Sequence, residues 1–267
     1  MSPEPLAFEA RELSRVFGHA RHAKPAVDRV SFQIQKGEIA SIVGESGCGK
    51  TALARMLLRL DKPSSGQLLF EGRPIDETHD PREHFRHVQA VFQDPFSAFN
   101  QFFSIRWQLE SAFRLFPKRP SRAEMGERID AALLAVNIQP REIDGKYPFE
   151  LSGGQMQRML LARVFIIKPR VLIADEPTSM VDASSRASIL EYLMKLKQEL
   201  DMTIVFVTHD IGLAYYASDS LLIMHQGKIV EQGPPERVTK QPRAAATRQL
   251  LDDIPDVNRD WLARGGA

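Results

Sequence analysis

Residues 44–51 read Gly44-Glu-Ser-Gly-Cys-Gly-Lys50-Thr51 and match the pattern G-x-x-x-x-G-K-[ST] at every fixed position. The apolar run Ile39–Val43 before them predicts a strand, and the apolar stretch Ala52–Leu60 after them predicts a helix. Strand, glycine-rich loop and helix in this order form a phosphate-binding loop, whose backbone N–H groups close around phosphate oxygens. An ordinary glycine-rich turn with an exposed lysine is the alternative, and this strand–loop–helix setting disfavours it.

The whole loop is a candidate contact surface for a nucleotide. Lys50 supplies a positive charge to the β- and γ-phosphates, and the Thr51 hydroxyl is a ligand for Mg²⁺. Cys48 stands at a free position of the pattern and receives no predicted catalytic role. The candidate nucleotide-binding residues of the loop are Gly44, Glu45, Ser46, Gly47, Cys48, Gly49, Lys50 and Thr51.

Two acids follow the apolar run Val171–Ala174, which predicts a buried strand. In open α/β sheets, ligands collect at the carboxyl ends of strands. Asp175 is therefore the candidate to orient Mg²⁺, and Glu176 is the candidate base that polarises the attacking water. A strand that ends in solvated acids is the alternative, and the phosphate loop in the same chain favours the catalytic interpretation.

Gln93 and His209 also follow predicted strands, Val88–Phe92 and Thr203–Val207. A neutral amide can bind metal or water without adding charge, and an imidazole can contact a γ-phosphate or the attacking water. Each residue taken by itself is compatible with a structural role. Their interest comes from their position beside the other candidates.

The stretch Leu151-Ser-Gly-Gly-Gln155 is the element that distinguishes ABC ATPases from other phosphate-loop enzymes, and with it the chain resembles the ABC family. Ser152 and Gln155 fit the S-x-x-Q capping box at the start of a helix, where N–H groups lack intrahelical partners. This helix start is thus a second predicted anion site. A well-capped helix without a ligand is the alternative.

The resemblance, which extends over about residues 7–255, implies a role for each matching residue. Lys50 and Thr51 are expected at the phosphates and metal, Asp175 and Glu176 at metal and water, Gln93 at the metal and His209 at the γ-phosphate. Phe17, which precedes Gly18, resembles the aromatic residue that stacks on adenine, whereas a core aromatic is the alternative. The implied cofactors are ATP and Mg²⁺.

The same resemblance implies a head-to-tail pair of cassettes. Ser152, Gly153, Gly154 and Gln155 are then expected at the γ-phosphate held by a second ABC ATPase subunit, identical or paralogous. The stretch Ser179-Met-Val-Asp182 resembles the loop that crosses the dimer interface. Two transmembrane permease subunits and an extracytoplasmic substrate-binding protein complete the implied partners, and no nucleic acid is expected.

The stretches Gln93–Asn100 and Leu250–Pro255 resemble those of importers of peptides and nickel. Two departures count against this narrower kinship: Gln101 replaces a usual proline, and residues 240–243 read Lys-Gln-Pro-Arg instead of a typical His-Pro-Tyr. The tail lacks the cysteines that hold an iron–sulfur cluster in some members. Importers of oligosaccharides remain an alternative.

Composition agrees with a peripheral subunit. Thirty-five Lys and Arg residues against 34 Asp and Glu give a net charge of +1, so no long-range field favours nucleic acid. The single cysteine suits a reducing compartment. No apolar run approaches the roughly 18–20 residues that span a bilayer, so we expect a protein held by partners at the cytoplasmic face of the inner membrane.

The predicted fold is an α/β P-loop NTPase core of ABC type with an antiparallel β-subdomain and an inserted helical subdomain at about residues 96–165. The ATPase domain is expected over residues 1–240, and a short C-terminal extension over 241–267. Aromatic residues concentrate in Phe96–Gln108, which is either subdomain core or a docking surface for a membrane subunit.

Two other functions remain open at this stage. A non-transport ABC ATPase acting on DNA or ribosomes usually needs a long coiled coil or two cassettes in one chain, and neither is present. A nucleotide-binding regulator without turnover is disfavoured by Glu176 and His209.

Overall fold

The computed structural model of the protein describes residues 5–18, 24–75, 80–178 and 183–253. The chain divides into two compact units. The first consists of Met1–Thr78 and Thr203–Ala267, and the second of His79–Met202. The second unit therefore extends beyond residues 96–165, for which the helical subdomain is predicted.

The strands in the described ranges are, in chain order, β1 (Leu6–Arg15), β2 (Val27–Gln35), β3 (Ile39–Val43), β4 (Ser65–Phe70), β5 (Arg73–Pro74), β6 (Val88–Val91), β7 (Val171–Asp175), β8 (Thr203–Thr208), β9 (Ser220–His225) and β10 (Lys228–Gly233). The α-helices are α1 (Lys50–Leu57), α2 (Pro81–His87), α3 (Ile105–Ser111), α4 (Arg122–Ala135), α5 (Gly153–Ile167), α6 (Ala183–Leu200), α7 (Ile211–Ala217), α8 (Pro235–Lys240) and α9 (Ala245–Asp252). Short 3-10 helices lie at Phe96–Ala98, Ala112–Leu115, Pro140–Glu142 and Pro148–Glu150.

An antiparallel sheet in the order β2-β1-β4-β5 forms one layer of the first unit. Val30, Phe32 and Ile34 of β2 are buried and alternate with exposed neighbours. This is the period of two that the sequence predicts for a strand with one covered face. The predicted antiparallel β-subdomain near the N-terminus is thus confirmed.

The second sheet of the first unit runs in the order β10-β9-β3-β8. Strand β3 pairs in parallel with both β8 and β9, whereas β10 pairs antiparallel with β9. Every residue of β3 and β8 is buried, as is usual for parallel strands covered on both faces. The β9–β10 hairpin turns at Gln226 and Gly227, both with positive φ, as the sequence predicts.

The second unit contains the parallel pair β6 and β7 and most of the helices. Helix α3 ends at Ser111, and the chain continues as a 3-10 helix before α4 begins at Arg122. Pro117 and Pro120 lie between the two, where the sequence predicts a break. Leu109 and Phe113 are fully buried, so this segment contributes to the core of the second unit.

Candidate functional site

The loop at residues 44–49 connects β3 to α1 and needs its glycines for two different reasons. Gly47 and Gly49 have φ of 77° and 112°, which side-chain-bearing residues rarely adopt. A Cβ on Gly44 would lie 2.1 Å from the carbonyl oxygen of Met224, and one on Gly49 would lie 2.1 Å from that of Ala26. The loop is therefore packed against backbone that no larger residue could approach.

The β9–β10 hairpin supports this loop from behind. The backbone N–H of Gly227 donates to the carbonyl oxygen of Cys48 at 2.8 Å, and the carbonyl of Gly227 accepts from the N–H of Asp28 at 2.8 Å. Cys48 itself is buried, and burial raises the pKa of its thiol. Its side chain thus serves as packing beneath the loop.

Lys50 is only 6% exposed, and its ammonium group lies inside the loop. The Nζ atom donates to the carbonyl oxygens of Gly44 at 2.7 Å and Glu45 at 2.9 Å. An ammonium has three donors, so one remains for a ligand oxygen. Thr51, one residue further, exposes its side chain at the start of α1.

Helix α1 begins without a capping side chain, because its N-cap residue is Gly49 and, among the described residues, no side chain makes the cap hydrogen bond. The first N–H groups of a helix have no intrahelical partners and carry the positive end of the helix dipole. Together with Lys50, they make this helix start suited to an anion such as phosphate.

His209 lies at the same sheet edge as the phosphate loop. Thr208, the last residue of β8, pairs with Val43, the last residue of β3. His209 is exposed, and Asp210 after it caps α7 by accepting the N–H of Leu213 at 2.9 Å. The structure thus brings the predicted histidine to the loop's edge of the sheet within the first unit.

Phe17 follows β1 and is 48% exposed, so it is not the core aromatic of the alternative interpretation. The guanidinium of Arg15 lies over its ring, 4.7 Å from the centroid. The carbonyl of Arg15 accepts the N–H of Ala26, whose own carbonyl faces Gly49. This chain of contacts leads from the exposed ring to the phosphate loop.

Gln93, Asp175 and Glu176 lie at the same edge of the second unit's strand pair. Val91 at the end of β6 pairs in parallel with Ala174 of β7, so the residues that follow both strands emerge at the same edge. Asp175 is buried, whereas Gln93 is exposed. Carboxylate and amide oxygens of this kind are suitable ligands for Mg²⁺.

Glu176 has a φ of 46°, in the left-handed region that non-glycine residues seldom occupy. Such a conformation costs about 1–3 kcal/mol and persists only where its surroundings hold it. One such support comes from Gln157 on α5, which is 1% exposed and donates from Nε2 to the carbonyl oxygen of Pro177 at 2.9 Å.

The start of α5 forms the predicted capping box. The Ser152 hydroxyl oxygen accepts the N–H of Gln155 at 3.2 Å, and the Gln155 side chain accepts the N–H of Ser152 at 3.0 Å. The hydroxyl acts as an acceptor here, so its O–H is left to donate outwards. Gly153 and Gly154 form the first turn, and Ser152 is exposed.

Two hydrogen bonds that support the site were not predicted from the sequence. One joins Gly227 to the carbonyl of Cys48 in the phosphate loop, and the other joins Gln157 to the carbonyl of Pro177. The turn at Gln226 and Gly227 was a usable signal for the hairpin but not for its contact. Glutamine on a helix gives no signal of its own. The predicted interface loop, Ser179–Asp182, lies outside the described residues.

A second candidate surface lies on the helical part of the second unit. Phe102 is 88% exposed, and Phe149 is 68% exposed. Phe103 stacks on Trp107 with ring centroids 4.2 Å apart, and Tyr147 stacks on Phe149 at 5.7 Å. We call these five residues the aromatic surface.

The aromatic surface is held in place from beneath. Ile105 donates its N–H to the carbonyl of Lys146 at 2.8 Å, which joins the two segments that carry the aromatic rings. Gln108 is buried and bonds to both the N–H and the carbonyl of Asn100, at 2.7 and 2.9 Å, and to the carbonyl of Phe103. Phe99 and Ile105 are buried, so the segment supplies both core and surface.

Comparison with known proteins identifies the family that the phosphate loop and the capped helix start indicate. The family model described as ABC transporter matches residues 27–179, and the chain belongs to that family as an ATP-binding subunit whose chemistry is ATP hydrolysis. An ATP-binding cassette solved as a dimer in a post-hydrolysis state with ADP and Pi is 25% identical. The two structures align with a TM-score of 0.77, and the alignment covers 85% of this chain and 98% of the other chain.

Among the relatives, the di/tripeptide transport ATP-binding protein DppF of Pseudomonas aeruginosa is 36% identical over 259 residues. The match covers 94% of this chain and 80% of that protein. The oligopeptide transport ATP-binding protein AppF of Bacillus subtilis is 37% identical over 233 residues, covering 86% and 70%. In the described ranges, no helix has the length and apolar character needed to cross a membrane.

Proposed function

We propose that this chain hydrolyses ATP to drive the import of peptides or a related small solute. The observation that carries the proposal is the presence of two helix starts suited to phosphate in one chain. One is the uncapped start of α1 beside Lys50, and the other is the start of α5 with its outward-facing Ser152 hydroxyl. The names of the relatives support peptides as the solute class.

Phosphate binding is assigned to the loop at 44–51. The free donor of Lys50 and the backbone N–H groups of the loop would hold the β- and γ-phosphates, and Phe17 would stack on the adenine ring. The exposure of Phe17 supports this role, since a stacking platform needs an open ring face. The Arg15 guanidinium on the ring is in the position where it stabilises such a platform through a cation–π contact.

Mg²⁺ is assigned to Thr51, Gln93 and Asp175. Their oxygen atoms match what this hard cation prefers, and Mg²⁺ in nucleotide sites typically takes one or two protein carboxylates in addition to phosphate oxygens and water. When bound, the ion would neutralise the charge that develops on the phosphate oxygens. Asp175 is buried at the end of β7, which supports a ligand that is fixed before the metal arrives.

Glu176 is the proposed base that orients and polarises the attacking water, and His209 is proposed to contact the γ-phosphate. The position of Glu176 directly after Asp175, which ends the buried strand β7, supports this role, because ligands collect at the carboxyl ends of parallel strands. Neither residue is buried, so each remains accessible to water and ligand.

We propose that two ATPase subunits, identical or paralogous, pair head to tail. Ser152, Gly153, Gly154 and Gln155 would then contact the γ-phosphate bound by the other subunit. The capped start of α5 supports this, since its Ser152 O–H is not used by the cap. ATP would stabilise the closed pair, and hydrolysis would release it.

The aromatic surface is the proposed docking site for a helix of a permease subunit. Five exposed aromatic side chains on one small subdomain exceed the scattered apolar exposure that is normal for a protein surface. Two permease subunits and an extracytoplasmic substrate-binding protein would complete the importer. The chain would lie at the cytoplasmic face of the inner membrane through these contacts.

The test is a crosslinking and activity experiment on the assembled transporter. In a Cys48→Ser background, cysteines replace Phe102 or Phe149, with Leu134→Cys on α4 as an exposed control that lies outside the aromatic surface. We expect crosslinks from positions 102 and 149 to a permease subunit and none from 134, with ATP turnover stimulated by peptide-loaded binding protein. Crosslinks from position 134 only, or ATP turnover that does not respond to peptide-loaded binding protein, would contradict the proposal.

A further inference from the structure

One buried carboxylate outside the proposed nucleotide site, that of Glu231, accepts several hydrogen bonds. Glu231 on β10 is 7% exposed. Its carboxylate accepts the N–H groups of Arg243 and Ala244 at 3.1 Å, the Thr247 hydroxyl at 2.8 Å and the Arg237 guanidinium at 3.1 Å. Burial alone would raise the pKa of Glu231, but these donors outweigh it and lower the pKa.

Glu231 binds the N-terminal end of α9. Ala244 is the N-cap residue of this helix and has no side chain that could accept a hydrogen bond. The carboxylate of Glu231, thirteen positions earlier, accepts at this helix end instead. An acceptor of negative charge is favourable at a helix N-terminus. Glu231 of β10 therefore contributes to holding the start of α9 in the first unit.

Helix α9, fastened in this way, covers an apolar cluster. Leu250 belongs to one buried cluster with Val238 of α8, Ile211 and Ala214 of α7, Val43 of β3, and Leu221 and Ile223 of β9. Each of these residues is buried. The C-terminal segment is thus part of the packing that holds α7 against β3.

Helix α7 begins two residues after His209. The backbone of His209 lies between Thr208, which ends β8, and Asp210, which caps α7. The Thr208 hydroxyl oxygen also accepts the N–H of Asp210 at 3.0 Å. A shift of α7 on its apolar cluster would therefore move His209 relative to the end of β3.

We infer that the C-terminal helix α9 (Ala245–Asp252), fastened by Glu231, positions His209 for ATP hydrolysis. Glu231, Thr247 and Leu250 are then positioning residues, which act on the reaction without touching the nucleotide. This inference rests on the proposed role of His209. Its competitor is a purely structural role, in which the helix stabilises the fold and leaves the histidine unaffected.

The first measurement follows the His209 ring directly in the full-length purified chain. Two-dimensional spectra of labelled histidine rings are recorded, and His209→Gln identifies the His209 signal. Thr247→Val removes the hydroxyl that bonds to Glu231 with little change in shape, whereas Thr247→Ser keeps it. Leu250→Ala loosens α9 by a different route.

Thr239→Val is the matched control, because the Thr239 hydroxyl donates to the carbonyl of Pro235 at 2.9 Å within α8 and does not fasten α9. We expect Thr247→Val and Leu250→Ala to shift the ring signals of His209, and Thr247→Ser and Thr239→Val to leave them in place. His84 in the second unit should be unchanged in every variant. An unshifted His209 signal in both Thr247→Val and Leu250→Ala overturns the inference.

The second measurement is ATP turnover in the assembled transporter. Misplacing a reacting group can cost up to about a hundredfold in rate, and we expect turnover to fall about tenfold in Thr247→Val, with KM for ATP within about twofold of wild type. Equal loss in Thr239→Val would point to a general effect on stability and overturn the inference. A third outcome combines shifted His209 ring signals with wild-type turnover, both in Thr247→Val and in His209→Gln. It would support the positioning by α9 but refute the proposed role of His209 in hydrolysis.

Discussion

The side-chain amide of Gln157 donates a hydrogen bond of 2.9 Å to the backbone carbonyl of Pro177, the residue after Glu176. Gln157 lies on α5, two residues beyond Gln155 of the capping box. A single helix therefore carries the proposed anion site at its start and holds the backbone next to the proposed base. The hydrogen bond to Pro177 is not apparent from the identity of residue 157.

Gln157→Leu tests this support, because leucine keeps the apolar packing of a buried position and removes the donor. We expect unfolding free energy to fall by about 1–3 kcal/mol, the cost of leaving a buried carbonyl without a partner. ATP turnover should fall about tenfold while nucleotide binding is retained. Tyr192→Phe is the control, since it removes a hydrogen bond to the carbonyl of Val136 in the same unit; an equal loss of turnover there would contradict the assignment.

Glu176→Gln should abolish turnover and preserve ATP binding, because the amide keeps the size of the side chain but cannot accept a proton. The closed dimer should accumulate, as measured by size-exclusion chromatography with ATP. Glu127→Gln changes an exposed carboxylate on α4 of the same unit and should have no effect. Wild-type phosphate release by the Glu176→Gln variant, assembled with its partners, would rule out Glu176 as the base.

Ser152→Arg should leave the chain folded and able to bind ATP at its own loop, since losing a helix cap costs about 1 kcal/mol. Closure should fail, because the longer side chain fills the space proposed for the γ-phosphate of the other subunit. In mixed dimers of differently tagged copies, one Ser152→Arg chain paired with one Lys50→Ala chain should retain one complete site.

The matching dimer with both changes in one chain should retain none, because head-to-tail pairing then spreads the two lesions over both sites. Single-site turnover of the purified mixed dimers distinguishes the two arrangements. Activity in the second dimer and none in the first would mean that Ser152 serves the nucleotide of its own chain.

Cys48 should react slowly with maleimide in the native protein. The thiol is buried, and burial raises its pKa, whereas the thiolate is the reactive form. The labelling rate should therefore keep rising with pH beyond the range in which an exposed thiol is already ionised. Mass spectrometry after timed labelling measures this rate, with the urea-unfolded chain as the fully accessible reference. Fast native labelling at pH 7 would show that the hairpin does not cover Cys48.

Motifs with a fixed residue spacing, such as the phosphate loop and the capping box at Ser152, were predictable because their chemistry depends on neighbours in sequence. Strand ends at Asp175 and His209 were predictable for the same reason. The hydrogen bond from the N–H of Gly227 to the carbonyl of Cys48 was not, since the two residues lie far apart along the chain. Likewise the segment at 96–108 has no clear period, so the sequence could not separate buried Phe99 from exposed Phe102.

The aromatic surface also affects the life of the subunit before assembly. Chaperones and proteases act on chains that display apolar groups to water, and Phe102 and Phe149 display them even in the folded state. If the aromatic surface docks a permease subunit as proposed, a copy made in excess of its permeases would be recognised as incomplete although it is correctly folded. Degradation of unassembled copies would in this way adjust the number of ATPase subunits to the number of permease subunits.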